Sequence, residues 1–536
     1  MKNKQIIALL SLTVGIPLLA SCDRNEAAQL EATSKTTLTV HPLFVSQQPE
    51  LVSGFRNDRN LTRENGWGGA FQAVLFGSQT NDGDDLAQYF FPDANRELIA
   101  ANDGPPQQPG FNVTKNLLAQ DFNVFTVNNN FESMISIRPQ QSVVGLGLHV
   151  RQSIWKSHAY NRGVWFSFSA PIERVKNDMH FFEKVENDGG GVNEAANDVV
   201  VANMTQAFQQ PDWEYGKISM CALSKTGLGD IEAKLGYEWL QQEPTHMESY
   251  FGLVIPTGNK NNGEYVFQPI VGRGKNFGIM FGSSIGIDLW ENSTGDMDIR
   301  YELANHFEWL FENKQRRSFD LKNRPWSRYL PVYINQEEAE EAADLIGSNP
   351  QYAMNNSTPG INVFTQEVKV TPGLTTDINT AFVFTWRKFQ AEAGYNFLAK
   401  RAENVKLDCP WQVGPAIKHY LGNGTTNPIR TIDGNKYDEQ IVANIPDNLT
   451  IACDGIIIPV TVANYEMSLI QESDLNLNSA ATPALFANTL YATVGFHAYD
   501  REYPLFGNFG ASYTFSKNND AVPRRWVLWG KMGMSY

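Results

Sequence analysis

The sequence predicts an all-β fold: a transmembrane antiparallel β-barrel of roughly 14 strands, with bounds of about 12 and 16. Three observations predict it. From about residue 66 to the C-terminus the apolar residues recur with a period of two, which marks strands whose two faces meet different solvents. Many of the alternating segments are as long as a tilted strand needs to cross a bilayer, about 9 to 11 residues, whereas strands of soluble sandwiches run to about 5 or 6. The last segment, "RRWVLWGKMGMSY", alternates up to its final residue, with Trp526, Leu528, Met532, Met534 and Tyr536 on one face.

The elements follow in chain order. Residues 1–21 carry Lys2 and Lys4, an apolar stretch interrupted by Gly15 and Pro17, and small residues ahead of Cys22. This is the three-part form of an export signal peptide that is removed. Leu19, Ala20, Ser21 and Cys22 resemble the bacterial lipobox, which implies acylation of the Cys22 thiol. Residues 22–65 read as an N-terminal tether or plug, and 66–536 as the barrel. Strands are expected at 68–77, 130–138, 141–155, 162–172, 230–239, 246–257, 275–290, 297–311, 362–373, 376–387, 389–397, 487–499, 504–517 and 524–536. Among the clearest is "MDIRYELANHFEWLF", in which Ile299, Tyr301, Leu303, Phe307 and Trp309 alternate with Asp298, Arg300, Glu302, His306 and Glu308. Trp239, Trp290, Trp309, Trp386 and Trp526 fall near strand ends, where an interfacial girdle places rings. Long extracellular loops are expected at 78–128, 186–227, 313–361 and 402–478, opposite a rim of tight turns.

Composition sets limits on function. The net charge is -15, and loss of residues 1–21 leaves 41 Lys and Arg against 58 Asp and Glu, a balance that repels nucleic acid. Four cysteines suit an exported protein. With Cys22 acylated, Cys409 and Cys453 share one long strand-poor stretch and form the expected disulfide. No Cys/His spacing suggests a metal, and no cofactor is expected.

Two resemblances sharpen the reading. Leu528, Met532, Met534 and Tyr536 resemble the C-terminal signal of bacterial outer-membrane β-barrels. That likeness implies closure of the last strand on the first and recognition by the barrel-assembly machinery. "GLGDIEAKLGY" (Gly227 to Tyr237) and "LVIPTGN" (Leu253 to Asn259) together resemble outer-membrane transporters for hydrophobic or aromatic compounds, related in architecture to the fatty-acid transporters. The resemblance implies a porin-like channel or transporter for small-molecule solutes in the cell outer membrane, surrounded by its lipids. A surface β-rich lipoprotein and a structural or adhesive barrel without transport are the alternatives. Two features depart from those families: a lipobox is unusual on a single-chain barrel, and Asp23 after Cys22 resembles a retention signal for the inner membrane.

No enzymatic chemistry is expected. "GSSIG" (Gly282 to Gly286) matches the nucleophile-elbow pattern, but it lies within unbroken strand alternation where the required sharp turn has no place. "GRGKNFG" (Gly272 to Gly278) has the wrong spacing for a dinucleotide site and reads as a loop. The remaining candidates are pore-lining: Glu132, Arg138, Arg151, Asp230, Glu232, Lys234, Glu238, Asp298, Arg300, Glu302, Glu308, Arg387, Glu392 and Lys531, with His149, His306 and His497 also facing inward. A charge turned to hydrocarbon instead would cost about 2 to 4 kcal/mol at the midplane for Arg or Lys.

Overall fold

The computed structural model describes residues 34–48, 50, 67–81, 83–92, 95–102, 117–157, 161–194, 199–242, 245–322, 324–334, 357–412, 416–417, 470–498, 502–516 and 521–536. Twelve strands form a closed antiparallel wall. They are β1 (Gly69–Thr80), β2 (Gln140–Ser157), β3 (Arg162–Asp178), β4 (Ile231–Gln242), β5 (Thr245–Ile255), β6 (Gly278–Glu291), β7 (Met297–Leu310), β8 (Thr375–Trp386), β9 (Phe389–Lys400), β10 (Leu485–Ala498), β11 (Leu505–Phe515) and β12 (Arg525–Ser535). Each pairs with its neighbour in sequence, and a further short strand, Leu223–Leu228, pairs with β3 beside β4.

β12 closes on β1 from Ala70↔Ser535 to Thr80↔Arg525. Beyond the ladder, Gly69 and Tyr536 exchange N–H···O bonds of 2.9 Å each. The Tyr536 ring covers Gly69, where a Cβ would lie 2.7 Å from it, and its hydroxyl donates to Gln152 Oε1 at 3.1 Å. The seam leaves no strand edge in the wall, as spanning a bilayer requires.

The strand count differs from roughly 14 because two alternating segments leave the barrel. Glu132–Ser136 pairs with Glu97–Ala101 and Phe182–Asn187, and Thr365–Thr371 pairs with Asn313–Ser318 and Asn404–Leu407. Both are shorter than a bilayer-spanning strand. Their apolar residues Ile135, Val368 and Val370 are buried in protein cores, the reverse of a wall strand, whose apolar face points outward.

All the connections at the Gly69 and Tyr536 rim are short, such as Trp386 to Phe389 and Gln242 to Thr245. At the other rim the chain runs from Thr80 to Gln140, Asp178 to Ile231, Ile255 to Gly278, Leu310 to Thr375 and Lys400 to Leu485 before returning to the wall. The described parts of these connections fold into a cap with cores of its own. One gathers Phe90, Phe122, Phe208, Trp213, Trp326 and Tyr329; Trp213 and Tyr329 stack with centroids 5.1 Å apart. The other gathers Phe319, Phe364, Val368 and Trp411. Two ion pairs are buried in the cap, Arg317–Glu403 at 2.6 Å and Arg328–Asp320 at 2.7 Å. Among the described residues no helix is long and apolar enough to cross a membrane.

Candidate functional site: a charged lumen and its internal strap

Residues 34–48 and Glu50 form a strap that starts in the cap and descends inside the barrel. In the cap, Lys35 N–H donates to Tyr89 O and Thr36 N–H to Ser479 O, each at 2.9 Å. Tyr89 donates its hydroxyl proton to Thr37 O at 2.7 Å. Burial lowers the Lys35 ammonium to about 8 against the opposing pull of Glu403. At the rim, Arg525 Nη2 donates to His41 O at 3.1 Å. Deeper, Leu43 and Val45 pack with Val74, Phe76 and Val143. Gly147 leaves room for Ser46, whose carbonyl oxygen would sit 3.2 Å from a Cβ there.

The described part of the strap reaches a chain of buried charges. Glu50 Oε1 accepts from Lys234 Nζ at 3.0 Å, with Glu50 Oε2 3.7 Å from His149 Nδ1. Lys234 also pairs with Glu232 at 3.0 Å. Arg273 links Glu232 (2.5 Å) to Glu308 (2.6 Å), and Arg151 links Glu238 (2.9 Å) to Glu248 (2.8 Å). Four strands and a loop supply these groups, because alternation turns every second residue of each strand inward. Buried charges persist when paired, and removing one partner costs about 3 to 5 kcal/mol.

Arg151, Glu232, Lys234, Glu238, Glu302, Glu308, Glu392 and Lys531 are buried and inward, as are His149, His306 and His497. Asp230 is buried just before β4 and takes the Arg273 N–H at 2.6 Å. Asp298 and Arg300 are half-buried inward at the opposite end of the wall, where Arg300 pairs with Asp288 at 3.5 Å. Three expected pore residues are elsewhere. Glu132 lies on the cap sheet, Arg138 is exposed and pairs with Asp84 at 2.9 Å, and Arg387 is in the β8–β9 turn with φ 52°, paired with Asp296. Arg138 follows a strand that never enters the wall, and Arg387 falls where the wall reverses. Cys409 carries a free, exposed thiol. Its expected partner Cys453 lies outside the described residues, as does Cys22. Ser284 donates to Glu248 Oε1 at 3.0 Å from the middle of β6, with no turn at that position.

Sequence reasoning missed Glu50, Glu248 and Arg273. Glu248 sat in an expected strand and carried the alternation signal. Arg273 gave none, because its partners Glu232 and Glu308 come from strands distant in sequence.

The outer face carries a continuous apolar belt, including Leu75, Leu146, Phe166, Leu235, Phe251, Phe281, Phe382, Leu490, Phe509 and Met532, all exposed to solvent in the isolated chain. Trp155, Trp239, Trp290, Trp309, Trp386 and Trp526 flank it near the strand ends. A greasy outside around a charged inside inverts a soluble protein. The chain is built as an outer-membrane β-barrel.

No protein-family model and no curated relative matches the sequence. Among solved structures the barrel is similar to an outer membrane channel from Pseudomonas putida F1, at 9% identity and a TM-score of 0.37, covering 89% of this chain and 98% of that one. It is also similar to a Pseudomonas aeruginosa FadL homologue, at 8% identity and a TM-score of 0.28, covering 94% and 99%. The Pseudomonas putida toluene transporter TodX follows at 8% identity and a TM-score of 0.24, covering 95% and 96%. Likeness of this degree carries no functional argument, and the assignment rests on the barrel's own wall.

Proposed function

We propose that the protein is a gated outer-membrane transporter for small solutes, with its conduit closed in this state by its own strap. The observation that carries the reading is the strap itself, a separate segment seated in a charged lumen through hydrogen bonds and the Glu50–Lys234 contact. A barrel serving only as a scaffold gains nothing from such filling, since apolar residues of similar volume are often as stabilising as buried ion pairs or more so. Two interior cavities among the described residues, of about 30 and 20 Å³, each hold about one water, which supports a shut state.

In this reading the cap rim faces the outside and the short-turn rim the periplasm. Residues 1–21 direct export, Cys22 carries the lipid, and the strand ending in Tyr536 is what the assembly machinery recognises. Permeating ions meet Glu173, Asp230, Glu232, Glu238, Glu248, Asp288, Asp298, Glu302, Glu308, Asp377 and Glu392 against Arg151, Lys234, Arg273, Arg300, Lys400, Arg525 and Lys531, an excess of carboxylate that favours cations.

Planar-bilayer recording of the full chain tests this. The unaltered protein should pass little current, and Glu50→Gln should raise it and favour K⁺ over Cl⁻, since Lys234 keeps Glu232 as partner and the wall stays paired. Absence of current from both would favour a structural barrel, and Cl⁻ preference would overturn the charge argument.

A further inference from the structure

The inner wall has two unlike arcs. From β2 to β7 it carries the paired charges that the described part of the strap reaches. From β8 through β12 to β1 it carries Asp377, Glu392, Lys400, Arg525 and Lys531 together with uncharged groups without hydrogen-bond partners: both amide atoms of Gln72, Asn379 Nδ2, Thr493 Oγ1, Ser512 Oγ and Trp529 Nε1. Gln72, Asn379, Thr493, Ser512 and Trp529 are only 0%, 1%, 3%, 6% and 1% exposed, in that order. The carboxylates of this arc are engaged, Glu392 by the Tyr491 hydroxyl at 2.7 Å and Asp377 by the Asn396 amide.

Three of the orphaned groups, on Thr493, Ser512 and Trp529, are neighbours across the sheet, whereas Gln72 lies opposite Gly533, four residues along β12 from Trp529, and Asn379 lies on β8. Thr493 faces Gly510, Gly510 faces Trp529, and Tyr491 faces Ser512 one row away. The rings lie along the wall: a Cβ on Gly510 would meet the Trp529 ring at 2.4 Å, and one on Gly394 would meet Tyr491 at 2.2 Å. The arc thus combines ring surfaces with unused neutral donors and acceptors.

We propose that this arc is the solute-binding surface of the conduit and takes an uncharged polyhydroxylated molecule, a small sugar or polyol; the inference rests on the transport reading above. A charged solute would lose its hydration here while the charges of the arc are already engaged, Glu392 and Asp377 as above, Arg525 by His41 O at 3.1 Å, Lys400 by Glu403 at 3.7 Å and Lys531 over the Phe506 ring at 5.5 Å. A hydrocarbon would leave the buried donors and acceptors unmet. A polyol supplies hydroxyls to Thr493, Ser512 and Trp529, and further along the conduit to Gln72, while its C–H faces lie on the rings.

Vesicles containing the full-length Glu50→Gln protein provide the test. Entry of arabinose and of arabinonate, its carboxylate counterpart, is followed by swelling, alongside K⁺ current in bilayers. Arabinose should enter faster than arabinonate. Gln72→Leu, Thr493→Val and Trp529→Phe, each added to Glu50→Gln, should lower arabinose entry relative to K⁺ current by about 2- to 10-fold, the loss of one hydrogen bond. Thr493→Ser, which keeps a hydroxyl, should restore the ratio. Gel mobility before and after boiling selects the variants that are folded. K⁺ current with equal entry of both solutes, or folded variants with an unchanged ratio, would mean that the arc is merely hydrated and would overturn this inference alone. No K⁺ current from Glu50→Gln would overturn the transport reading and this inference with it.

Discussion

Inside the wall, rings stand directly across from glycines on the neighbouring strand: Phe76 from Gly145, Trp165 from Gly236, Tyr250 from Gly282, Tyr491 from Gly394, Phe506 from Gly533 and Trp529 from Gly510. Each ring occupies the space that a Cβ on its glycine would need. Gly510→Val should therefore lift Trp529 off the wall and cost about 1 to 3 kcal/mol, the usual penalty of overpacking. This would be read as a lower temperature at which the compact form is lost on a gel. Gly530→Ala, with nothing within 4 Å of its Cβ, should stay within about 0.5 kcal/mol of the parent. A second residue sets a pH limit on the cap. Burial would raise the Glu403 carboxyl, but Arg317 and Lys400 override it and hold the group at about 2, below its ordinary 4.5. The unfolded chain therefore binds the extra proton as pH falls through this interval. Stability is fully present above about 4.5 and is lost toward pH 2, an effect on the order of 3 kcal/mol. Proteolysis of the cap should rise steeply between pH 5 and pH 3 in the parent and change less in Glu403→Gln, which is weakened at every pH. The sequence shows which side of the wall Lys234 or Trp529 takes, because alternation is local. It does not show that Trp529 meets Gly510 or that Arg273 meets Glu308, because register joins strands that alternation treats one at a time.

Among the elements, the twelve wall strands were legible because lipid outside and charge inside impose a strict period of two. β12 follows it along its whole length, and β7 does so from Tyr301 to Leu310. Glu132–Ser136 and Thr365–Thr371 share that period, and their short length, their pairing within the cap and the burial of their apolar face separate them from the wall. The cap was not legible as a folded unit, since its sheets join segments as distant as Asp320–Leu321 and Leu475–Asn476. The seam also invites a test. Removing Tyr536 takes away two backbone hydrogen bonds, the Gln152 contact and the cover over Gly69. Folding into detergent micelles should slow and its yield fall, while Tyr536→Phe, which loses only the hydroxyl, should fold nearly as the parent does. Equal yields for the truncated chain would show that the ladder from Ala70 to Thr80 closes the barrel unaided.

As a whole, the molecule should migrate differently on a denaturing gel before and after boiling, because a closed ladder has no edge at which detergent can begin. Unchanged mobility would speak against closure. The strap adds a directional prediction. Its described part begins beside Asp320 and Ser479 in the cap, whereas β1 begins at the opposite rim with Gly69. An affinity tag placed ahead of Ser34 should thus be reached from the same side as a tag in the cap, and not from the side of Tyr536. The same path constrains the order of assembly. The strap is the earliest described part of the chain and β12 the last, so a wall that closed first would have to be threaded afterwards. Wrapping the strands around a strap already in position avoids that passage, and pairing of β12 with β1 then becomes an irreversible latch. Once it has shut, the strap can leave only lengthwise, and each contact along it adds friction to the exit.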